Sequence, residues 1–468
     1  MTATASIGQI FKAYDIRATY PDKINEAAAW KVGYGTGQYL MDSGGQARGG
    51  EVVVSRDMRP HSQALCAALC EGLRAAGVNV IDLGMCDTSF IYFAVNHLDA
   101  LGGIQTTASH NPIQYNGFKI SGRQARPVGA DSGLKDIQRI VESLSDDVRE
   151  HTEMVGGYRE LDLWKEYRAH VLGFLTPLKR KITVAIDTAN GMGGKLVSGV
   201  FCGVENLEVI PINFEITGSF AHDPNPLVAE NMVPTQRMVR ERGADLGVSF
   251  DGDADRCILT DDQGRLIGCD HLTALMVGYF VRGDEDTPTV VYDLRSSKVV
   301  EQTIRAHGAR PHKGRVGHVF MKAALRETNG VFGGELSGHF YYRDNFFTDS
   351  GAITFAVVLS ILGRSDKTMS AWIDPLRKYP QSGERNFEVE DKQGAMRELE
   401  DRYAGRGEVD HLDGVTIDCW DTAGWWLNVR ASNTEPLLRL NAEAKDEATL
   451  RKLLEEVTPL LGKPASGH

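Results

Sequence analysis

A chain of 468 residues, 42% apolar and 24% charged, is too long for one ordinary core, and at roughly 100 to 200 residues per domain it divides into three or four. Its 51 basic and 63 acidic side chains leave a formal charge of −12, which excludes a global basic field for nucleic acid or an anionic membrane, so any phosphate must be gripped locally. Seven cysteines without a CxxC pair predict reduced thiols, and no apolar run longer than Ala352 to Leu362 is present, so the expectation is a soluble, cytoplasmic protein.

In chain order, the β-branched runs Glu51 to Ser55, Ile182 to Asp187 and Thr289 to Asp293 each reach a polar or glycine-rich turn. Each is followed by a helix-period stretch: Gln63 to Ala76, Met192 to Phe201 and Lys298 to His307. The alternation predicts α/β units and suggests a threefold duplication. The last segment differs, with strand-like Asn386 to Glu390, Val415 to Trp420, Trp425 to Ala431 and Leu437 to Ala444 beside helical Gln393 to Tyr403 and Thr449 to Leu461. That pattern predicts a small α+β domain. Polar linkers at Gly156-Gly157, Gly264 to Gly268 and Tyr379 to Gly383 mark the expected boundaries.

Four short runs carry chemistry. Thr107-Ala108-Ser109-His110-Asn111-Pro112 offers a hydroxyl nucleophile, with His110 and Lys119 as nearby partners to activate it; an ordinary Asn-Pro turn is the other reading. Asp251-Gly252-Asp253-Ala254-Asp255-Arg256 sets three carboxylates at alternate positions of a turn between two strand-like runs, where they can converge on a hard cation such as Mg²⁺ or Ca²⁺. An EF-hand is excluded, because Arg256 and Asp262 stand where that loop needs glycine and glutamate; an acidic hairpin remains open.

Gly333-Gly334-Glu335-Leu336-Ser337-Gly338-His339 presents a carboxylate and a hydroxyl that can hydrogen-bond sugar hydroxyls, or is a glycine-rich turn with an incidental glutamate. Arg430-Ala431-Ser432-Asn433-Thr434-Glu435-Pro436 puts a guanidinium, two hydroxyls and an amide on one turn, which suits a phosphate dianion but also a capped β-turn. Separately these are moderate signals. Together they supply nucleophile, metal, hydroxyl recognition and phosphate grip for one reaction.

With Tyr14-Asp15-Ile16-Arg17 near the start, these runs occur in the order found in the α-D-phosphohexomutase superfamily, and the chain resembles its bacterial phosphomannomutase/phosphoglucomutase group over nearly its whole length. The resemblance implies an α/β fold of four domains around a central cleft, three related mixed α/β domains and a C-terminal α+β domain, with limits at 1–155, 156–267, 268–378 and 379–468. It implies that Ser109 is the phosphoserine, that Asp251, Asp253 and Asp255 hold Mg²⁺ with a phosphoserine oxygen, and that Arg256 neutralises the phosphoryl group. Arg17, His110 and Lys119 are then electrostatic or proton-transfer partners, and Glu335 and Ser337 read the sugar. Arg430, Ser432, Asn433 and Thr434 hold the non-reacting phosphate, and Tyr14, His318 and His339 complete the pocket.

The implied activity is interconversion of hexose 1- and 6-phosphates, of mannose or glucose, with a hexose 1,6-bisphosphate as intermediate and activator. Two departures from the group stand out: Leu336 where methionine is common, a volume-conserving change that should alter little, and Arg295 where a lysine is usual, which keeps the charge but not the geometry and so bears on substrate preference. A phosphoglucosamine mutase, a metal-dependent serine phosphatase and a silent sugar-phosphate-binding protein are the competing readings.

Overall fold

The computed structural model describes residues 7–45, 49–281, 287–432 and 437–465. They fall into two compact units, Met1–Leu266 with Ser337–Met369, and Ile267–Leu336 with Ser370–His468. The architecture is that of four domains, three mixed α/β and a C-terminal antiparallel-sheet domain, as expected.

In the first unit a six-stranded sheet runs in the order Ile16–Thr19, Tyr115–Gly122, Gly102–Thr106, Glu51–Arg56, Asn79–Met85, Tyr158–Glu160. Its first two pairings are antiparallel and the rest parallel. Val52, Val53 and Val54 are fully buried because their strand has parallel neighbours on both sides, which is why its sequence reads as a continuous apolar run rather than an alternation. Strand Tyr158–Glu160, just past the Gly156-Gly157 linker, forms the far edge of this sheet.

Helix Glu26–Ser43, capped by the Asn25 side chain, escaped the sequence reading. It contains Gly33, Gly35 and Gly37, poor helix formers that hide the periodicity. Tertiary packing explains them: a Cβ on Gly33 would lie 2.1 Å from Leu69 O, and one on Gly72 in helix Ser62–Ala76 would lie 2.0 Å from Trp30 O. The two helices approach so closely that only glycine fits at both crossings.

A second sheet in this unit orders Cys257–Thr260, Leu246–Phe250, Ile182–Asp187 and Leu207–Ile212, the first pair antiparallel and the others parallel. The apolar run Ala352 to Leu362 forms the buried helix Gly351–Gly363. Among the described residues no helix is long and apolar enough to cross a membrane.

In the second unit strands Arg310–Gly314 and Phe332–Gly334 flank Thr289–Asp293 in parallel. The C-terminal sheet is antiparallel throughout, in the order Glu408–Asp410, Val415–Cys419, Trp425–Ala431, Leu437–Ala444, Arg385–Glu388, Lys463–Pro464. Leu399 and Tyr403 of helix Lys392–Tyr403 and Leu450, Leu453 and Val457 of helix Glu447–Val457 share its core with Ile417, Leu427 and Leu440. The second helix ends earlier than its periodicity suggests. Pro459 lacks the N–H that α-helical bonding needs, and Thr458–Leu460 tightens into a 3₁₀ turn.

Candidate active site

Strand Gly102–Thr106 delivers the loop bearing Ser109, and the antiparallel strand Tyr115–Gly122 returns Lys119 beside it. Ser109 is buried and left-handed, with φ of +52°, a conformation that costs energy for a residue with a Cβ and persists only where the surroundings impose it. Its Oγ donates to Asp251 Oδ2 at 3.1 Å and lies 3.4 Å from His110 Nδ1.

Strand Leu246–Phe250 ends directly before Asp251, and its antiparallel partner Cys257–Thr260 begins directly after Arg256, so the acidic hexapeptide is the turn between them. Asp251, Asp253 and Asp255 are buried, and each offers a carboxylate oxygen within 4.8 Å of the others. Lys119 Nζ bridges Asp253 Oδ2 at 2.7 Å and Asp255 Oδ2 at 2.6 Å, and Arg256 Nε donates to Asp251 Oδ2 at 2.9 Å.

The charges are unequal, three carboxylates against two cations. Burial and then the field of Asp255 push the Asp251 carboxyl up. Burial alone would also raise Asp255, but Lys119 and His339 outweigh it and hold that carboxyl well below the usual range. Lys119 in turn keeps its proton despite burial because Asp253 and Asp255 face it. Asp253 Oδ1 is buried without a hydrogen-bond partner. Three hard oxygen donors, two of the carboxylates (Asp253 and Asp255) with a buried Oδ1 that makes no hydrogen bond, and a surplus negative charge fit a divalent cation of the magnesium type.

Burial and then the Arg256 charge pull the His110 imidazole well below its ordinary value. Arg256 Nη2 donates to His110 Nδ1, so that nitrogen is an acceptor and the ring is neutral. Arg17 Nη1 donates to Asn111 Oδ1 at 2.6 Å and Nη2 to Asp15 at 2.5 Å, while its buried Nε has no hydrogen-bond partner. Ser337 Oγ and His339 Nδ1 are 2.8 Å apart, and His339 Nε2 is 3.5 Å from Asp255 Oδ1. Tyr14 is half-buried in the turn before strand Ile16–Thr19.

The first unit thus gathers Ser109, His110, Lys119, Arg17, Arg256, Ser337, His339 and the three aspartates through one continuous set of contacts. Tyr14 also belongs to this unit, and the remaining predicted residues lie in the second. There Arg295 donates to Asp293 and to Glu384 Oε2 at 3.0 Å, and stands 3.9 Å from Glu335. Glu335 accepts from the backbone of Gly317, directly before His318 at the start of helix His318–Glu327. Arg430 Nη2 donates to Glu384 Oε2 at 3.1 Å, and Ser432 N to Leu437 O at 2.9 Å. Asn433 and Thr434 lie outside the described residues.

Sequence reading missed three contributors: Thr88, whose hydroxyl donates to Asp253 Oδ2 at 2.5 Å; Asn111, which receives Arg17; and Glu384, which joins Arg295 to Arg430. Asn111 sat inside a quoted run, read only for its turn propensity. Thr88 and Glu384 gave no local signal, since the first looks like a helix start and the second like linker polarity.

The chain matches four parts of one family in order: phosphoglucomutase/phosphomannomutase alpha/beta/alpha domain I over residues 8–147, domain II over 165–264, domain III over 269–379, and the C-terminal domain over 384–460. It is 36% identical over 452 residues to a phosphomannomutase of Salmonella typhimurium, covering 94% of this chain and 96% of that one. It is 36% identical over 460 residues to a protein of Xanthomonas campestris named phosphohexose mutases, covering 96% and 98%. Among solved structures, a phosphoglucomutase/phosphomannomutase family protein of Burkholderia thailandensis superposes with a TM-score of 0.86 at 29% identity, covering 98% of this chain and 99% of that one.

Proposed function

Because the chain belongs to the phosphoglucomutase/phosphomannomutase family and is an enzyme of the phosphohexose mutase class, we propose that it interconverts hexose 1-phosphate and hexose 6-phosphate through phospho-Ser109. The observation that carries the proposal is the placement of Ser109 Oγ against Asp251, in a buried aspartate trio flanked by Lys119 and Arg256. In this reading phospho-Ser109 gives its phosphoryl group to the free 6- or 1-hydroxyl of the bound monophosphate, forming a hexose 1,6-bisphosphate. The intermediate turns end for end, and its other phosphate returns to the serine.

The chain's own groups supply position and countercharge, which is most of what phosphoryl transfer needs. Asp251, Asp253 and Asp255, with an oxygen of phospho-Ser109, are the residues that would hold Mg²⁺. The bound cation supplies countercharge to the phosphoryl oxygens. Lys119 stays charged, because its proton is held by two aspartates, and so neutralises rather than carries protons. His110, neutral and engaged by Arg256, orients that guanidinium beside Ser109 Oγ. Glu335 and Ser337 read sugar hydroxyls, and Arg430, Ser432, Asn433 and Thr434 grip the non-reacting phosphate, with Tyr14, Arg295, His318 and His339 completing the pocket. Domain limits at 1–155, 156–267, 268–378 and 379–468 go with this assignment.

Relatives named phosphomannomutase favour mannose phosphate as one substrate. Glucose phosphate joins it if Glu335 and Ser337 bind hydroxyls away from carbon 2, where the two sugars differ. A coupled assay with glucose, mannose and glucosamine 1-phosphates, with and without Mg²⁺ and catalytic hexose 1,6-bisphosphate, tests the whole reading. Undiminished turnover in Ser109→Ala sinks it. Inorganic phosphate as the main product indicates a phosphatase, and a strong preference for glucosamine phosphate moves the assignment to that substrate.

A further inference from the structure

Strand Glu51–Arg56 leads into Asp57-Met58-Arg59, and Arg59 is a guanidinium with no solvent-exposed surface. All of its donors are used. Nε meets Asp57 Oδ2 at 3.0 Å, Nη1 meets Pro112 O at 2.7 Å and Tyr115 O at 3.1 Å, and Nη2 meets Ser109 O at 3.0 Å and Asn111 O at 2.7 Å. Four of the five bonds therefore go to backbone carbonyls of the loop that carries the proposed nucleophile.

Asp57 closes the same network from the other side of Ser109. Its Oδ2 accepts from Thr107 Oγ1 at 2.8 Å, and Thr107 Oγ1 accepts from Ser109 N at 2.9 Å. Asp57 Oδ1 takes Arg59 N at 3.0 Å and Ser62 Oγ at 2.5 Å, which roots the pair at the start of helix Ser62–Ala76. Both backbone polar groups of Ser109 are thus tied to one ion pair. The Phe220 ring lies 5.1 Å from Arg59 Cζ and covers its face, and a Cβ on Gly252 would stand 2.4 Å from Ser109 O.

We propose that Arg59, paired with Asp57, is a positioning residue for phosphoryl transfer: it clamps the backbone of residues 109–115 so that Ser109 keeps its left-handed conformation with Oγ against Asp251. The physical reason is multiplicity. A left-handed serine flanked by a turn has lower-energy alternatives, and a fork of charge-assisted donors bonded to four carbonyls forbids them together. Lysine cannot substitute, since a single ammonium does not span carbonyls at 109, 111, 112 and 115. The inference rests on the reading of Ser109 as the phosphate carrier.

The test uses the full-length chain with Arg59→Met, Arg59→Lys and Arg59→Ala, with Thr107→Val as a variant that cuts only the link between Asp57 and Ser109 N. Hexose phosphate turnover gives kcat and KM. Intact-mass measurement after incubation with hexose 1,6-bisphosphate gives the phosphorylated fraction. A misplacement of the order of an ångström predicts kcat lower by about 100-fold in Arg59→Met and Arg59→Lys with KM within about threefold, and slower phosphorylation to match. Millimolar guanidinium should restore Arg59→Ala by at least about tenfold in kcat while leaving Ser109→Ala inactive.

A purely structural role lowers the yield of folded protein without changing kcat per folded molecule, and gives no guanidinium rescue; either result overturns the proposal. If the Arg59 variants do not fold, Thr107→Val decides: a reduced kcat at unchanged KM supports the clamp, and a wild-type kcat overturns it. A wild-type chain that takes no phosphate on Ser109 removes the underlying reading. Phosphorylated wild type with a neutral Arg59→Met removes only the clamp.

Discussion

Glu384→Gln keeps the volume of the side chain and removes its charge. Glu384 Oε2 accepts from Arg295 Nη1 at 3.0 Å and Arg430 Nη2 at 3.1 Å, and Oε1 from Arg439 Nη1 at 3.0 Å. Burial alone would raise this carboxyl, but the three guanidiniums outweigh it and hold it down at about 2, against 4.5 for an ordinary glutamate. A depressed acid contributes stability that is complete above the unfolded value and disappears as pH falls through the folded one. Linkage puts that contribution at about 3 kcal/mol at pH 7 and about 1 kcal/mol at pH 3.

Urea unfolding of both proteins across this range measures it. The variant should unfold at lower urea at pH 7, and the gap should close by more than half at pH 3. KM for hexose phosphate should rise as well, because Arg430 and Arg295 lose the carboxylate that sets their separation. A gap as wide at pH 3 as at pH 7 refutes the charge argument, and no gap at either pH refutes the pairing itself.

Gly252→Ala should reduce kcat by at least about tenfold and cost about 1–3 kcal/mol in thermal or urea unfolding, because its Cβ would reach 2.4 Å from Ser109 O, a backbone atom clamped by Arg59. Asp253→Asn should weaken Mg²⁺ binding in calorimetry by more than the roughly 10- to 100-fold that follows loss of an outer-shell partner; unchanged affinity removes Asp253 from the metal set. Burial pushes the Asp87 carboxyl, which caps helix Thr88–His97 and accepts from Tyr167 Oη at 2.8 Å, up to about 7 from 3.8. A raised acid holds its proton in the fold while the unfolded chain has lost it, so this group's contribution falls as pH rises from 4 to 7. Asp87→Asn should remove that slope in metal-free urea titrations, and identical slopes in the two proteins argue against it.

Local chemistry made much of the fold legible. The strands Ile182–Asp187, Thr289–Asp293, Trp425–Ala431 and Leu437–Ala444 fall where their runs predict, because each ends at a turn residue that the sequence itself displays. The acidic hexapeptide was readable for the same reason: two strands pair directly across it, so six consecutive residues fix both the turn and the convergence of its carboxylates. Helix Glu26–Ser43 was not readable, because its glycines obey a neighbouring helix rather than their own periodicity.

Which chemical groups this protein has, and in what order, could be read from residue identities alone: a serine in a turn, three alternating aspartates, a sugar-type loop and an arginine turn, five runs that identify the family when Tyr14 to Arg17 is included. Which of them touch is set by folding. Ser109 meets Asp251 across 142 residues of chain, Lys119 reaches Asp253 across 134, and Thr88 reaches it across 165. Propensity and periodicity act over a few residues, whereas burial brings distant charges into a common low-dielectric space where each fixes the protonation of the next. Arg59 and Glu384 show the difference most clearly: as sequence they are a charge after a strand and a charge in a linker, and as structure each joins segments whose geometry no local rule contains.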